Sequence, residues 1–465
     1  MIVEYTSTVE RIAAACGGRV TTGSGPTVIE SVTTDSRELG RNSLFVPLVG
    51  ERFDGHDFIV ALSEKGSISS YLSMKEGFTE TAGRTGVAEI LCADTLAALG
   101  SMASAHRNAI DPVVVGITGT NGKTTTKELV YAILSARQKC LKNVKNYNNE
   151  IGVPMTLLGL DGTHEMAVIE MGMNHAGELD RLSRIAKPDL ALITNVGEGH
   201  LEYLGSVENV ARAKSEIMNG MRPGSTVIIN RDMACFDLVK RMARKTDLVV
   251  KTFGLTDAAD VHPESYRLDR ESLSVTYGGA EIAAPLYGLH NVYNLLAAIA
   301  VAHEYRVEPS EIGAALAGFV NVDGRSQIID RGYVVINDCY NSNPMSLAYA
   351  LRSAEKVFPD RRKIAVLSDM KELGEFARRC HVDGGREVAE NGFVLLLAWG
   401  DMARYYAEGA VAAGMDPDRI RQFGTKDELA RFLKDILDEN DVVLIKGSRS
   451  MKMEDVVRAV TGRED

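Results

Sequence analysis

Hydrophobic positions follow two periods along this chain. Short β-branched or otherwise apolar runs recur at 112–115, 166–171, 190–195, 226–230, 333–337, 363–368, 393–399 and 442–446. Such runs are expected of strands buried on both faces of a parallel sheet. Between them, apolar residues fall three or four apart. Leu129, Val130, Ile133 and Leu134 mark a helix over 127–138, and Val207, Val210, Ala211, Ile217, Met218 and Met221 mark another over 207–221. Residues 43–48 read as an earlier strand, 272–277 as one of several short alternating strands in 231–285, and 424–465 carries two amphipathic helices. Strand and helix in alternation predict an α/β protein with mostly parallel sheets covered on both sides.

The 465 residues suggest about three domains. The pattern divides them into an N-terminal α/β unit at 1–108, a central unit at 109–320 and a Rossmann-like α/β unit at 321–465, with 108–112 reading as a linker. A net charge of -11 argues against a nucleic-acid binder that works by neutralising phosphates. The N-terminus lacks the basic region and long apolar core of a signal peptide, and no apolar run is long enough to span a bilayer. The six cysteines are scattered without metal-ligand spacing, as expected of reduced thiols in a cytoplasmic protein.

The chemistry concentrates at 116–126, GITGTNGKTTT, between the first apolar run of the central unit and its helix. Strand, glycine-rich loop and helix aim backbone N–H groups and a helix N-terminus at one spot, which suits a phosphate. Gly119, Thr120, Asn121, Gly122, Lys123, Thr124 and Thr125 form the candidate ATP loop. Lys123 would reach the β/γ-phosphates and the Thr124 hydroxyl would face Mg²⁺. The strict pattern asks for glycine at 117, where this chain has isoleucine.

Other polar groups sit where strands end. Glu170 closes one apolar run and His200 follows another, positions that suit a metal ligand or water-orienting group. Lys214 falls on the apolar face of its helix, where an ammonium is costly unless paired or neutral. Its stem either packs with the head reaching water, or the group is turned inward for a task at the phosphate site. Asn291 and Asn294 stand three apart at a helix start, suited either to a purine edge or to capping. Asp35, Ser36 and Arg37 read equally as a turn with a surface arginine or as part of a pocket for a phosphate-bearing substrate. Arg325 and Asp338 lie at the entry to the third unit, where they would face the nucleotide, and Lys446, Ser448 and Arg449 form a basic strand end suited to an anionic substrate.

Together these motifs resemble the Mur ligase family over nearly the whole chain. TDSR with FVPLVGERFDGHDFI, GTNGKTT, NYNNEIGVPMTLL, IEMGMNHAGEL, TNVGEGHLEYLGS, GLHNVYN, NDCYNSNP, SDMKELGE and KGSRSMKME follow in family order. The last segments favour the branch that adds D-alanyl-D-alanine, and the DNPR signature of the diaminopimelate-adding branch is absent. The resemblance implies an ATP-dependent ligase joining D-Ala-D-Ala to UDP-N-acetylmuramoyl-tripeptide through an acyl phosphate. It implies two Mg²⁺ sites drawing on Thr124, Glu170, His200 and Lys214 as a carbamate. It places the UDP-substrate at Ser36, Arg37, Asp54, Gly55, His56 and Asn149, with Asn148 nearby. It places adenine at Asn291 and Asn294, and the dipeptide at Lys446, Ser448 and Arg449. The expected protein is a cytoplasmic monomer with small-molecule partners and no nucleic acid or membrane. A nucleotide switch or transport ATPase, which would hydrolyse ATP without an amino-acid substrate, is the alternative of a different class.

Overall fold

A computed structural model describes residues 1–22 and 28–462. Residues 23–27 of the expected first unit and 463–465 of the third lie outside the described residues.

The first unit is a six-stranded sheet in the order Ile2–Thr8, Val28–Thr33, Ser43–Phe45, Ser70–Ser73, Ala88–Leu91, Arg19–Thr22. Its four inner strands are parallel and its two outer strands antiparallel. The strand expected over 43–48 ends at Phe45.

No linker occupies 108–112. The helix Thr95–Ile110 runs through most of it and closes on Asp111 in the left-handed conformation, φ 53°. The cause is Arg107, which is only 1% exposed. Its guanidinium donates to the carbonyls of Ala186, Pro112 and Lys187 at 3.0, 3.3 and 3.3 Å. It also donates to Asp111 at 2.9 Å and Asp189 at 3.3 Å. A guanidinium with this many acceptors fixes the junction between the first and central sheets.

The central sheet is wholly parallel, in the order Val249–Phe253, Thr226–Asn230, Leu190–Ile193, Val113–Thr118, Met166–Glu170, Cys140–Lys142. The strand leading to the glycine-rich loop thus lies between the two strands whose ends carry Thr194 and Glu170. This is the position where ligands gather in open parallel sheets. The helix after the loop is Lys123–Ser135, four residues earlier than its apolar spacing predicts, so Lys123 to Thr126 form its first turn. The helix expected over 207–221 is Val207–Ser215 followed by a 3₁₀ turn, Glu216–Gly220. A small antiparallel sheet, Ser265–Leu268, Leu273–Tyr277 and Ala280–Ala284, shares a core with the helix Leu289–Glu304.

The third sheet runs Gln327–Asp330, Val334–Asp338, Asp441–Lys446, Arg362–Ser368, Phe393–Trp399, Ile420–Phe423, with only the first strand antiparallel. The carboxyl ends at Asp338 and Lys446 share a cavity with the glycine-rich loop. Among the described residues no helix is long and apolar enough to cross a membrane.

Candidate active site

The loop 119–122 is held from below by the end of the neighbouring strand. Asn195 Oδ1 accepts from Asn121 N at 2.8 Å, while Thr194 Oγ1 and Asn195 Nδ2 donate to the Asn121 carbonyl at 2.6 and 3.0 Å. Gly122 has φ 81° and lies so close to Asn294 that a Cβ would come 2.2 Å from its Oδ1. Only glycine fits there without strain. Lys123 folds back so that Nζ donates to the Gly119 and Thr120 carbonyls at 2.9 and 3.3 Å. Burial lowers its pKa, with Glu170 opposing that shift.

Glu170 is 1% exposed and sits in a cradle that the sequence pattern did not reveal. Asn143, fully buried, donates to the Glu170 carbonyl at 2.8 Å and accepts from its N–H at 2.9 Å, as a strand neighbour would. Asn148 Nδ2 donates to Oε1 at 2.7 Å. The buried Lys127 donates to the Asn143 carbonyl at 2.7 Å and lies 4.0 Å from Glu170 Oε2. Oε2 is buried and has no hydrogen bond. A buried carboxylate oxygen without a donor is the group a cation would complete.

Lys214 is 1% exposed, so the inward reading of its helix face is the one observed. Burial lowers its pKa well below the usual lysine value, and the nearby positive charge of Lys123 adds to the effect. His200 stands in the left-handed region, φ 55°, with Nδ1 2.8 Å from Glu372 Oε2 of the third unit. Burial lowers the imidazole pKa, although Glu372 pulls it up, and His200 in turn depresses the Glu372 carboxyl. Glu170, His200, Lys123 and Thr124 line one cavity of about 300 Å³, together with Lys371 and Arg449.

Arg325 forms the wall between this cavity and a second one of about 440 Å³. Its guanidinium lies over the Tyr340 ring, 3.9 Å from the centroid, and donates to Thr124 Oγ1 at 2.9 Å. Asn121 and Asn343 exchange side-chain hydrogen bonds of 3.1 and 2.8 Å across the same boundary. The central and third units are therefore closed on each other. The larger cavity is lined by Asn294, Asp232, Tyr293, His290 and Asp338, among others. Asn291 is not in it: buried to 1%, it donates to the Tyr287 carbonyl and accepts from Asn294 Nδ2 at 2.8 Å, so it orients Asn294.

Several expected site residues have other work. Lys446, expected at the dipeptide, is 2% exposed at the larger cavity and paired with Asp338, with a further bond of 3.0 Å to the Asn341 carbonyl. Asp338 also accepts from Ser326 N at 3.0 Å, beside Arg325. Burial would raise its pKa, but Lys446 and then His290 outweigh it, so the carboxyl is held below its usual value. Ser448 is buried and receives the Lys371 N–H at 2.9 Å, leaving Arg449 as the member of that trio facing the smaller cavity. In the first unit, Arg37 is 86% exposed and forked onto Asp35 at 2.7 and 2.8 Å, the surface-turn alternative, with Ser36 between them in the same turn. Asp54 accepts from His56 N and Nδ1 and from Lys75, and fully buried His56 accepts from Met74 N at 3.2 Å. A Cβ at Gly55 would meet Leu48 N at 2.7 Å. These three residues therefore fasten their own loop. Asn149 is exposed and accepts from Ile151 N and Gly152 N, at the start of the helix Gly152–Leu158.

Comparisons with known proteins match this geometry. Family profiles cover residues 28–107 (Mur ligase family, catalytic domain), 117–302 (Mur ligase middle domain) and 324–449 (Mur ligase, glutamate ligase domain). The UDP-N-acetylmuramoyl-tripeptide–D-alanyl-D-alanine ligase of Bacillus subtilis (strain 168) is 35% identical over 436 residues, 93% of each chain. The crystal structure of MurF from Acinetobacter baumannii superposes with a TM-score of 0.89 at 30% identity, covering 99% of this chain and 100% of that one. MurF ligase from Thermotoga maritima, solved in complex with ADP, shares the fold with a TM-score of 0.81 at 24% identity, over 93% and 97% of the two chains. With the central and third units closing on one phosphate loop, and similarity along nearly its full length, the chain belongs to the Mur ligase family.

Proposed function

We propose that this protein is an ATP-dependent amide ligase that joins D-alanyl-D-alanine to UDP-N-acetylmuramoyl-tripeptide, forming the pentapeptide precursor of peptidoglycan. The observation that carries the chemistry is the convergence of Lys123, Thr124, Glu170 and Arg325 where the central and third units meet, with Lys214 buried near enough for its charge to act on His200. The choice of substrates rests on the B. subtilis relative. Residues 1–108, 109–320 and 321–465 would serve as the UDP-substrate, ATP and dipeptide units, acting as a cytoplasmic monomer.

A carboxylate is a poor electrophile, so the acceptor is first phosphorylated by ATP to an acyl phosphate. The amine of the dipeptide then attacks the carbonyl and phosphate leaves. The loop amides and Lys123 hold the β- and γ-phosphates, and Arg325, preoriented by Tyr340, adds positive charge from the other side. Asn294, oriented by Asn291, reads the base. Arg449 and Lys371 offer cations to the dipeptide carboxylate. Closure of the third unit, latched by Asn121 and Asn343, keeps water from the acyl phosphate.

The residues offer Mg²⁺ one partly built site. Thr124 Oγ1 and the orphaned Glu170 Oε2 supply hard oxygen donors for it. Among the described residues no group of three His, Cys, Asp or Glu side chains is gathered for a metal. A second site with His200 would need Lys214 as a carbamate, a modification that the burial lowering its pKa favours, since CO₂ adds to the neutral amine. When bound, the metal supplies charge that lets two anions approach.

The test is phosphate release from ATP with UDP-N-acetylmuramoyl-tripeptides carrying lysine or diaminopimelate at the third residue. Release should require both the tripeptide and D-Ala-D-Ala. Hydrolysis indifferent to either would favour a nucleotide switch.

A further inference from the structure

Behind the nucleotide cavity lies a separate cleft of about 310 Å³ at the edge of the central sheet. It is lined by Arg231, Lys240 and Arg244, with Phe236, Thr252 and Asp260. None of the three cations has a carboxylate within salt-bridge distance among the described residues, in a chain of net charge -11. Lys240 and Arg244 stand four apart on the helix Phe236–Lys245, on one face, and Arg231 joins them from the preceding turn. Arg231 is fixed in place: its N–H donates to the Phe253 carbonyl at 2.7 Å and its guanidinium lies 4.2 Å from the Phe236 ring centroid. Lys240 shares that ring at 5.5 Å. The one acid, Asp260, is already engaged, accepting from Thr252 N and Oγ1 at 2.8 and 2.7 Å. Three cations converging on a concave site, with their acid neighbour turned to the backbone, form an anion site.

We infer that this cleft binds a phosphate-bearing small molecule, with the phosphoryl group held between Arg231, Lys240 and Arg244. The ring face of Phe236 is covered by Arg231, so recognition falls on the phosphoryl rather than on a stacked base. The cleft adjoins the nucleotide cavity along the chain. Asn230, Asp232 and Met233 line the nucleotide cavity on one side of the strand end, and Arg231 lines this cleft on the other.

The experiment is isothermal titration calorimetry of the full-length protein carrying Lys123→Ala, which disables the phosphate loop, with inorganic phosphate and pyrophosphate as separate arms. One saturable site is expected, weakened by added salt. In the same background Lys240→Gln with Arg244→Gln should weaken the site at least tenfold. In the chain that retains Lys123, the same pair should leave the amide-forming rate without added anion unchanged. No binding in the Lys123→Ala protein, or binding untouched by the Lys240 and Arg244 changes, overturns the inference.

Discussion

Replacing Lys446 by methionine separates two roles for this ammonium. As a substrate contact its loss would weaken the dipeptide; as the partner of Asp338 its loss leaves a carboxylate stranded. The two side chains are 2% and 14% exposed. Removing one partner of such a pair costs about 3–5 kcal/mol, because the remaining charge keeps its burial without its compensation. The bond to the Asn341 carbonyl is lost as well. Asp338 retains Ser326 N and Oγ, at 3.0 and 3.2 Å, which are neutral donors and offset little of this. Because Ser326 follows Arg325, the disturbance reaches the nucleotide wall. The expected result is a loss of roughly 3–5 kcal/mol in urea unfolding, a raised KM for ATP and an unchanged KM for the dipeptide. The single tryptophan, Trp399, lies in the third sheet and reports this unit directly by fluorescence. Combining Lys446→Met with Asp338→Asn should restore most of the stability. A variant as stable as the parent, with only the dipeptide KM raised, would refute the reasoning.

Lys214→Ala should lower turnover by about a hundredfold or more and regain part of it with added formate or acetate, read by the same phosphate release; a folded variant without rescue would point to a packing role. Arg107→Ala should destabilise the protein by about 3–5 kcal/mol in thermal or urea melts, and Arg107→Lys should restore little, since an ammonium cannot reach the same fork of acceptors. Burial holds the His290 imidazole down to about 4 against an ordinary 6.5, so the unfolded chain takes up a proton where the folded one does not. Stability should therefore be full above pH 6.5 and fall as pH drops towards 4, by roughly 2 kcal/mol at pH 5. His290→Gln should flatten that slope in urea midpoints taken at pH 7 and pH 5.

Local periodicity carried the sheets, the phosphate loop and the inward turn of Lys214, because each is written in residues three to seven positions apart. Partnerships across long stretches of chain were not legible in this way. Lys446 meets Asp338, and Asn121 meets Asn343, only after separate sheets align their carboxyl ends. Its place at a basic strand end suggested a substrate for Lys446, and the sequence pattern left Lys127, Asn143 and Asn343 without a role. The buried cradle of Glu170 is assembled by Asn143 acting as a strand neighbour, which no spacing rule encodes. Arg37 and Asn291 have partners that spacing alone did not indicate, Asp35 for one and the Tyr287 carbonyl for the other. The supposed linker failed for a related reason, since polar residues near a proline also describe the end of a helix held by a buried arginine.

The central claim is that the tripeptide carboxylate attacks the γ-phosphate of ATP, forming an acyl phosphate before the amine attacks its carbonyl. Supplying UDP-N-acetylmuramoyl-tripeptide with heavy oxygen in its reacting carboxylate, together with ATP and D-Ala-D-Ala, tests it by mass spectrometry of the released phosphate. The account predicts one heavy oxygen in each phosphate formed. Phosphate free of the label, with amide product still accumulating, would contradict it.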